Sequence, residues 1–258
     1  MQTLLTRWFC DNANANGNTN ATGRRGERPA QVAGAPKRAV ALFDDGTALQ
    51  AWETRGYKTA RTPASLAPEA HHSGSSARDF LAPYADDLAI AVAFPACTDL
   101  SAAGARWWKE KRKKNPNFQD HAVARIRSVE AAMRATGVPY AMIVPASPRL
   151  RIMWKSPDAI ISPHEYGGWL PADAPHPLFP DVVPAQDAYK KRTYVYFGNG
   201  FVLPRRRPVI PKWTTRQRKG KTVRVSPLLV RRKHRHVRRL TPLGFLEAVA
   251  ERNGRDCD

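Results

Sequence analysis

Cysteine is scarce in this 258-residue chain, occurring only as Cys10, Cys97 and Cys257. Three cysteines cannot build a disulfide framework, and no CxxC pair is present to seed a zinc site. Long apolar runs are missing too. A membrane-crossing helix needs about 20 consecutive apolar residues, whereas the longest run here, Leu88 to Phe94, is far shorter and is led by two aspartates. The opening MQTLLTRWFC is too short, and too quickly broken by Arg7, to read as a secretory signal. These shortages predict a protein of a reducing compartment, the cytoplasm of a bacterial or phage-infected cell or else a nucleus, with no membrane partner. The third shortage is negative charge: 22 acidic residues stand against 42 Lys and Arg, a formal net charge of +20. That balance says nothing about fold, but it implies attraction to a polyanion, nucleic acid first. His234 and His236 sit inside a run of cations, which opposes a divalent ion, so no metal is expected.

What is present is enough apolar matter for a core, 42% of residues, punctuated by 22 prolines and 16 glycines that call for long loops. Residues 11–37 have no apolar period of either kind, which predicts a disordered arm over 1–37. Four short apolar runs follow: Ala39–Phe43, Leu88–Phe94, Tyr140–Val144 and Thr193–Phe197. Each breaks into turn residues at its carboxyl end, as expected of strands buried on both faces. Between them, Phe118, Ala122, Ile126, Val129 and Met133 recur at helical spacing before Gly137, and Thr47–Arg55 is a shorter helical candidate ending at Gly56. Alternating strands and helices predict an α/β fold with a mostly parallel sheet. Ligands in such folds sit beyond the carboxyl ends of the strands, and all four turn clusters are expected at that edge.

The charge concentrates near the far end. Between Phe201 and Arg239 there are fifteen Lys and Arg and no Asp or Glu, with Trp213 and several aliphatic residues interleaved. Mutual repulsion of so many cations is relieved by phosphate, with release of its counterions. Charge alone does not choose DNA over RNA. The chain thus divides into the arm, an α/β core with inserted loops (38–200), a basic nucleic-acid-binding segment (201–240), and a closing helix and tail (241–258). Within the core Cys97 has two readings. It is a buried structural cysteine, or a reachable nucleophile in the loop Pro95–Ser101, its thiolate favoured by the cations of Arg106–Lys114.

Several segments together resemble a known family. FPACTDLSAAGARWWKEK is similar to the Pro-Cys nucleophile loop of phage-type DNA cytosine-5 methyltransferases, in which an apolar strand ends in FPPCT and runs into SGARW. MWKSPD and HEYGGWLP resemble that group's MWRKPD and YEYGG segments; AYKKRTYVYFGNGFVLP resembles its YTKRT…GNGF strand, and LTPLGFLEAVAERN its closing TPxGFxxAV helix. The likeness runs in order from about Arg38 to Asn253. It implies a Rossmann-like methyltransferase fold that binds S-adenosylmethionine and flips a cytosine out of double-stranded DNA. It further implies that Cys97 is the nucleophile that adds to C6 of the base, and that Phe43, Asp45, Gly46, Thr47 and Pro95 line the cofactor site. Arg106, Lys109, Lys111, Arg112, Arg149, Lys191, Arg192, Arg205, Arg206, Arg207, Arg231 and Arg232 would contact DNA, with the loop Ser162–Pro171 close by.

The pattern departs from the family at four places. Where the family's third strand ends in Glu-Asn-Pro, whose Glu serves N3 of the base, this chain reads Val144-Pro145-Ala146. Its Phe-x-Gly-x-Gly cofactor loop becomes Phe43-Asp44-Asp45-Gly46-Thr47, with one glycine. The acid that holds the ribose falls near Pro63, and a further Asp falls near Ser76. The expectation is a cytosine-5 methyltransferase of weak or lost activity; the alternative is a catalytically dead, methyltransferase-like DNA-binding protein.

Overall fold

A computed structural model of the chain describes residues 37–44, 47–63, 74–218, 220–229 and 240–254. Apart from Lys37, the arm expected over 1–37 lies outside them. Six strands form the main sheet: β1 (Arg38–Asp44), β2 (Lys58–Pro63), β3 (Leu88–Ala93), β4 (Tyr140–Pro145), β5 (Ala159–Ile161) and β6 (Thr193–Gly198), in the order β2-β1-β3-β4-β6-β5. β1 pairs in parallel with β2 and β3, and β3 in parallel with β4, while β6 runs antiparallel to both β4 and β5. The helices are α1 (Gln50–Glu53), α2 (Gly74–Leu81), α3 (Trp108–Lys114), α4 (Phe118–Ala135), α5 (Pro148–Met153) and α6 (Leu243–Asn253). The fold is mixed α/β with a mostly parallel sheet.

The continuous apolar runs are explained by burial on both faces. Successive side chains of a strand point to opposite sides, so Val40, Leu42, Ala91, Met142 and Val144 pack with Leu81 of α2, Ile126 and Met133 of α4 and Leu150 of α5. Their neighbours Ala39, Ala41, Ile90, Val92, Ala141 and Ile143 pack with Trp52 of α1 and Phe245 and Val249 of α6. All five periodic residues of α4 are buried, and Gly137 (φ +71°) turns the chain just past the helix. One charged group of α4 also faces inward. The buried Glu130 carboxylate accepts hydrogen bonds from the Tyr140 hydroxyl (3.1 Å), Arg134 (3.2 Å) and Lys155 (2.7 Å), tying α4 to β4 and to the chain beyond α5.

The structure corrects the expected position of one turn cluster. Because β6 is antiparallel, Gly198–Gly200 lies at the opposite edge from the carboxyl ends of β1, β3 and β4, beside Tyr140 at the start of β4. A Cβ on Gly198 would stand 2.8 Å from the Tyr140 ring. The amino end of β6, with Lys191 and Arg192 just ahead of it, lies instead at the edge of those carboxyl ends. Four strands lay hidden in the sequence. β2 (KTARTP) borders the sheet and needs no apolar run, β5 has three residues, and β7 (Thr214–Arg218) pairs with β8 (Lys221–Val225) as a separate hairpin within the basic segment. No helix among the described residues is long and apolar enough to cross a membrane.

Glu130→Ala removes one partner from a buried ionic network and leaves the Tyr140 hydroxyl without its acceptor. The expected loss of stability is about 3 kcal/mol, read from the denaturant midpoint of the variant against the parent.

Candidate functional site

The chain reverses its direction of travel across the sheet between β1 and β3: β2 lies to one side of β1, and β3, β4 and the rest to the other. Such a reversal opens a crevice at the carboxyl ends of the two central strands, the usual ligand position in open α/β sheets. Phe43, Asp44 and Thr47 stand at the end of β1, and Pro95 and Cys97 at the end of β3. Asp45 and Gly46 lie outside the described residues.

The end of β1 is a strained turn. Phe43 adopts φ +61°, in the left-handed region that side chains disfavour, and the pairing with β2 slips between Ala41 and Asp44. The Phe43 amide donates to Thr62 Oγ1 (2.7 Å). The buried Asp44 carboxylate accepts from the Ala48 amide (3.2 and 3.3 Å) and faces Arg61 at 4.0 Å. Thr47 is buried beyond it. At the end of β3 the loop is equally tight. The Cys97 carbonyl accepts from the amides of Leu100 (3.0 Å) and Ser101 (2.9 Å). A Cβ on Gly104 would stand 2.2 Å from the Thr98 carbonyl oxygen, so only glycine lets the turn at 102–107 close over this loop. Ser147, which caps α5 through the Leu150 amide (3.2 Å), donates to the Leu100 carbonyl (2.6 Å) and so ties the β3 loop to the end of β4. The Ala146 amide in turn donates to the Arg192 carbonyl (3.0 Å), joining β4 to the chain entering β6.

Cys97 is 9% exposed and belongs to the apolar cluster that contains Phe43, Leu100 and Leu150. Two basic side chains of its surroundings are engaged elsewhere: Asp99 takes Lys111 in a short ion pair and Arg125 at 3.7 Å. Arg106, Lys109 and Arg112 are exposed, and the Arg149 guanidinium lies 5.6 Å from the Trp108 ring. Val144, Pro145 and Ala146 close β4 without a carboxylate.

S-adenosylmethionine has ribose hydroxyls suited to a carboxylate and a sulfonium that a cation repels. β2 ends in Arg61-Thr62-Pro63, with Arg61 beside the one buried acid of β1 and Thr62 occupying the Phe43 amide. The described residues do not fit that cofactor.

A second set of contacts attaches the basic segment to the same edge. Residues 201–213 run without regular structure along the loop that follows β5. The Gly168 amide donates to the Arg207 carbonyl (2.8 Å), Val209 to His164 (2.8 Å) and Lys212 to Ala188 (2.7 Å). Trp169 Nε1 donates to the Arg205 carbonyl (3.0 Å), and the Arg207 guanidinium covers the Trp169 ring at 3.6 Å. The glycines of HEYGGW make this possible. A Cβ on Gly167 would come within 2.4 Å of Val209, and one on Gly168 within 3.0 Å of Arg207. Arg205, Arg206 and Arg207 are exposed, although Arg206 also reaches Glu165 (3.4 Å). Lys191 sits at this edge as well, but its ammonium donates to the Leu240 carbonyl (2.8 Å); Arg192 is exposed. Arg231 and Arg232, like His234 and His236, lie outside the described residues.

Asp187 went unnoticed in the sequence. Gln186 and Asp187 have φ of +57° and +47°, which turns the Asp187 carboxylate into the start of α6, where it accepts from the Gly244 amide (3.0 Å). It borders a cavity of about 230 Å³ lined also by Thr47, Gln50, His176 and Glu247. Burial pushes its pKa up to about 6, against the backbone amides of Gly244 and Leu243 and the charge of Lys191, which pull it down. A left-handed Gln-Asp pair has no simple sequence signal. Among the described residues no group of three or more His, Cys, Asp or Glu is arranged to hold a metal ion. No family model, no curated protein and no solved structure matches this chain.

The Asp187 shift has a testable sign. With the folded pKa above the unfolded value near 4, the native state binds the proton more tightly. The contribution is complete below pH 4 and is lost as pH rises through about 6. The difference amounts to about 3 kcal/mol. Asp187→Asn keeps the amide acceptor and removes the titration, so urea unfolding between pH 4 and pH 6.5 should show a decline in the parent that is absent from the variant.

Proposed function

We propose that this chain is a double-stranded-DNA-binding protein built on a cytosine-5-methyltransferase-like, Rossmann-like core that no longer turns over. The observation that supports this most is the basic segment sewn by main-chain hydrogen bonds to the carboxyl edge of the sheet, with Arg205, Arg206 and Arg207 presented together beside Trp169. A segment with fifteen cations and no acid is poorly served by solvent alone; phosphate neutralisation accounts for it. The exposed Arg106, Lys109 and Arg112, at the start of and along α3, extend the cationic surface near the Cys97 loop. The strand order, with its reversal between β1 and β3, agrees with the family fold that the sequence resembles. The mismatch at the ends of β1, β2 and β4 speaks against methylation: a proline, two residues after Arg61, where the ribose acid belongs, and no carboxylate for N3 of the base. Acid–base assistance of that kind contributes about 10²–10⁴-fold.

A second reading, a working cytosine-5 methyltransferase, is favoured by one feature. Cys97, the residue matching the family's nucleophile, follows β3 at the crevice where such a fold would receive a flipped cytosine. In that reading its thiolate attacks C6 of the base, as the resemblance implies.

The two readings separate in one set of measurements. Titrating S-adenosylmethionine into the protein should give no binding heat, and labelled methyl groups should not enter a mixed-sequence duplex. Methyl incorporation that disappears in Cys97→Ser would instead establish the second reading. The triple change Arg205→Ala, Arg206→Ala and Arg207→Ala should weaken duplex binding on all sequences alike and flatten the log–log salt slope by about 2 to 3.

A further inference from the structure

The β7–β8 hairpin is a two-stranded ribbon apart from the main sheet. Its register pairs Thr214 with Val225, Thr215 with Arg224, Arg216 with Val223, Gln217 with Thr222, and Arg218 with Lys221. The two-residue connection is closed by Gly220 at φ +74°. Residues opposite one another share a face, so Thr215, Gln217, Thr222 and Arg224 project together. All four are exposed. On the other face Thr214, Val223 and Val225 are half-buried. That face is thus half-covered at these three residues, with Arg216 and Lys221 exposed on it nearer the turn, while the face of Thr215, Gln217, Thr222 and Arg224 is open throughout.

The base of the ribbon is held firmly. The Trp213 ring has the Lys190 ammonium and the Arg224 guanidinium each 5.5 Å from its centre. The chain before it is fixed by the Lys212–Ala188 hydrogen bond, and after β8 the buried Leu228 packs with Val183, Tyr189 and Leu240. Across the open face the Gln217 amide nitrogen donates to Thr222 Oγ1 (2.7 Å), which fixes the plane of the amide.

We infer that the open face of this hairpin reads base edges in the major groove of duplex DNA. The inference rests on the DNA-binding reading above and adds sequence specificity to it. Three observations carry it. The major groove admits a two-stranded ribbon, and five residues per strand give a ribbon about 17 Å long, several base pairs of reach. Next, the side chains suit base edges better than phosphates: a guanidinium for guanine, an amide for adenine, and hydroxyl and methyl groups for thymine. A face meant only for phosphate has no use for the uncharged Gln217 and the two threonines. Finally, the ribbon and the chain on either side of it carry no acid, because the sequence contains no Asp or Glu between Asp187 and Glu247.

The test is selection of the full chain on a randomised duplex library, followed by affinity for the selected duplex against a scrambled one. A preference of tenfold or more is expected. Gln217→Ala and Arg224→Lys each conserve charge and sit in the open, and each should cut that preference about tenfold. Thermal unfolding of both variants checks that they fold, and an unfolded variant is replaced by Thr215→Ala in the same assay. Duplex binding without preference, or variants that keep the full preference, would overturn the inference and leave DNA binding standing. Absence of duplex binding would overturn both readings. Equal discrimination on duplex RNA of the same sequence would also overturn the inference, because its major groove is too narrow for the ribbon.

Discussion

Hydrogen-bond polarity within one sheet governs which parts of this chain meet. Parallel pairing of β1, β3 and β4 sends their carboxyl ends to a single edge, and the reversal between β1 and β3 parts those ends into a crevice. The antiparallel β6 then brings its amino end to that edge, and with it Lys191, Arg192 and the chain carrying Ala188. Since the basic segment is tied to Ala188, His164 and Gly168, its position follows from the same polarity. Were β6 parallel, the GNG turn would face the crevice, and the arginines would be anchored at the far side.

The electrostatics follow from how these cations are held. Side-chain pairing with acids would reduce the field around these cations, and the described part of the segment mostly avoids it. Its attachment runs through main-chain amides and carbonyls and through the flat contact of Arg207 on Trp169. Only Arg206 is paired with an acid among the three consecutive arginines. Around the Cys97 loop the opposite choice is made. Asp99 draws in Lys111 and Arg125, which buttress the loop and α4 rather than a ligand. Charge is used for structure beneath the loop and presented outward on the segment that follows β6.

Much of the architecture was legible in the residues, and the parts that were not have physical reasons. The runs at Ala39, Leu88, Tyr140 and Thr193 announced their strands because both faces are covered, which requires unbroken apolar sequence. The α4 stripe was readable because Phe118 through Met133 all point to one side. β2 was hidden because a border strand tolerates Lys, Thr and Arg, and the hairpin because an alternation of Thr, Arg and Gln resembles a charged linker. Strand direction has no local signature, so the GNG turn was assigned to the wrong edge. Of the candidate site, the place of Cys97 just past β3 was legible, and of its two readings burial is the one seen, within the apolar cluster that holds Phe43, Leu100 and Leu150. The inward carboxylate of Asp187 depends on two left-handed residues that composition does not reveal.

The most direct test of the central claim is the affinity of the full chain for a mixed-sequence duplex measured across a range of salt concentration. Each phosphate neutralised contributes a slope of about −0.9 to the plot of log affinity against log salt. A steep straight line, equivalent to about six or more phosphates, is the predicted result. Affinity that is insensitive to salt, or no detectable binding at low salt, would contradict the account.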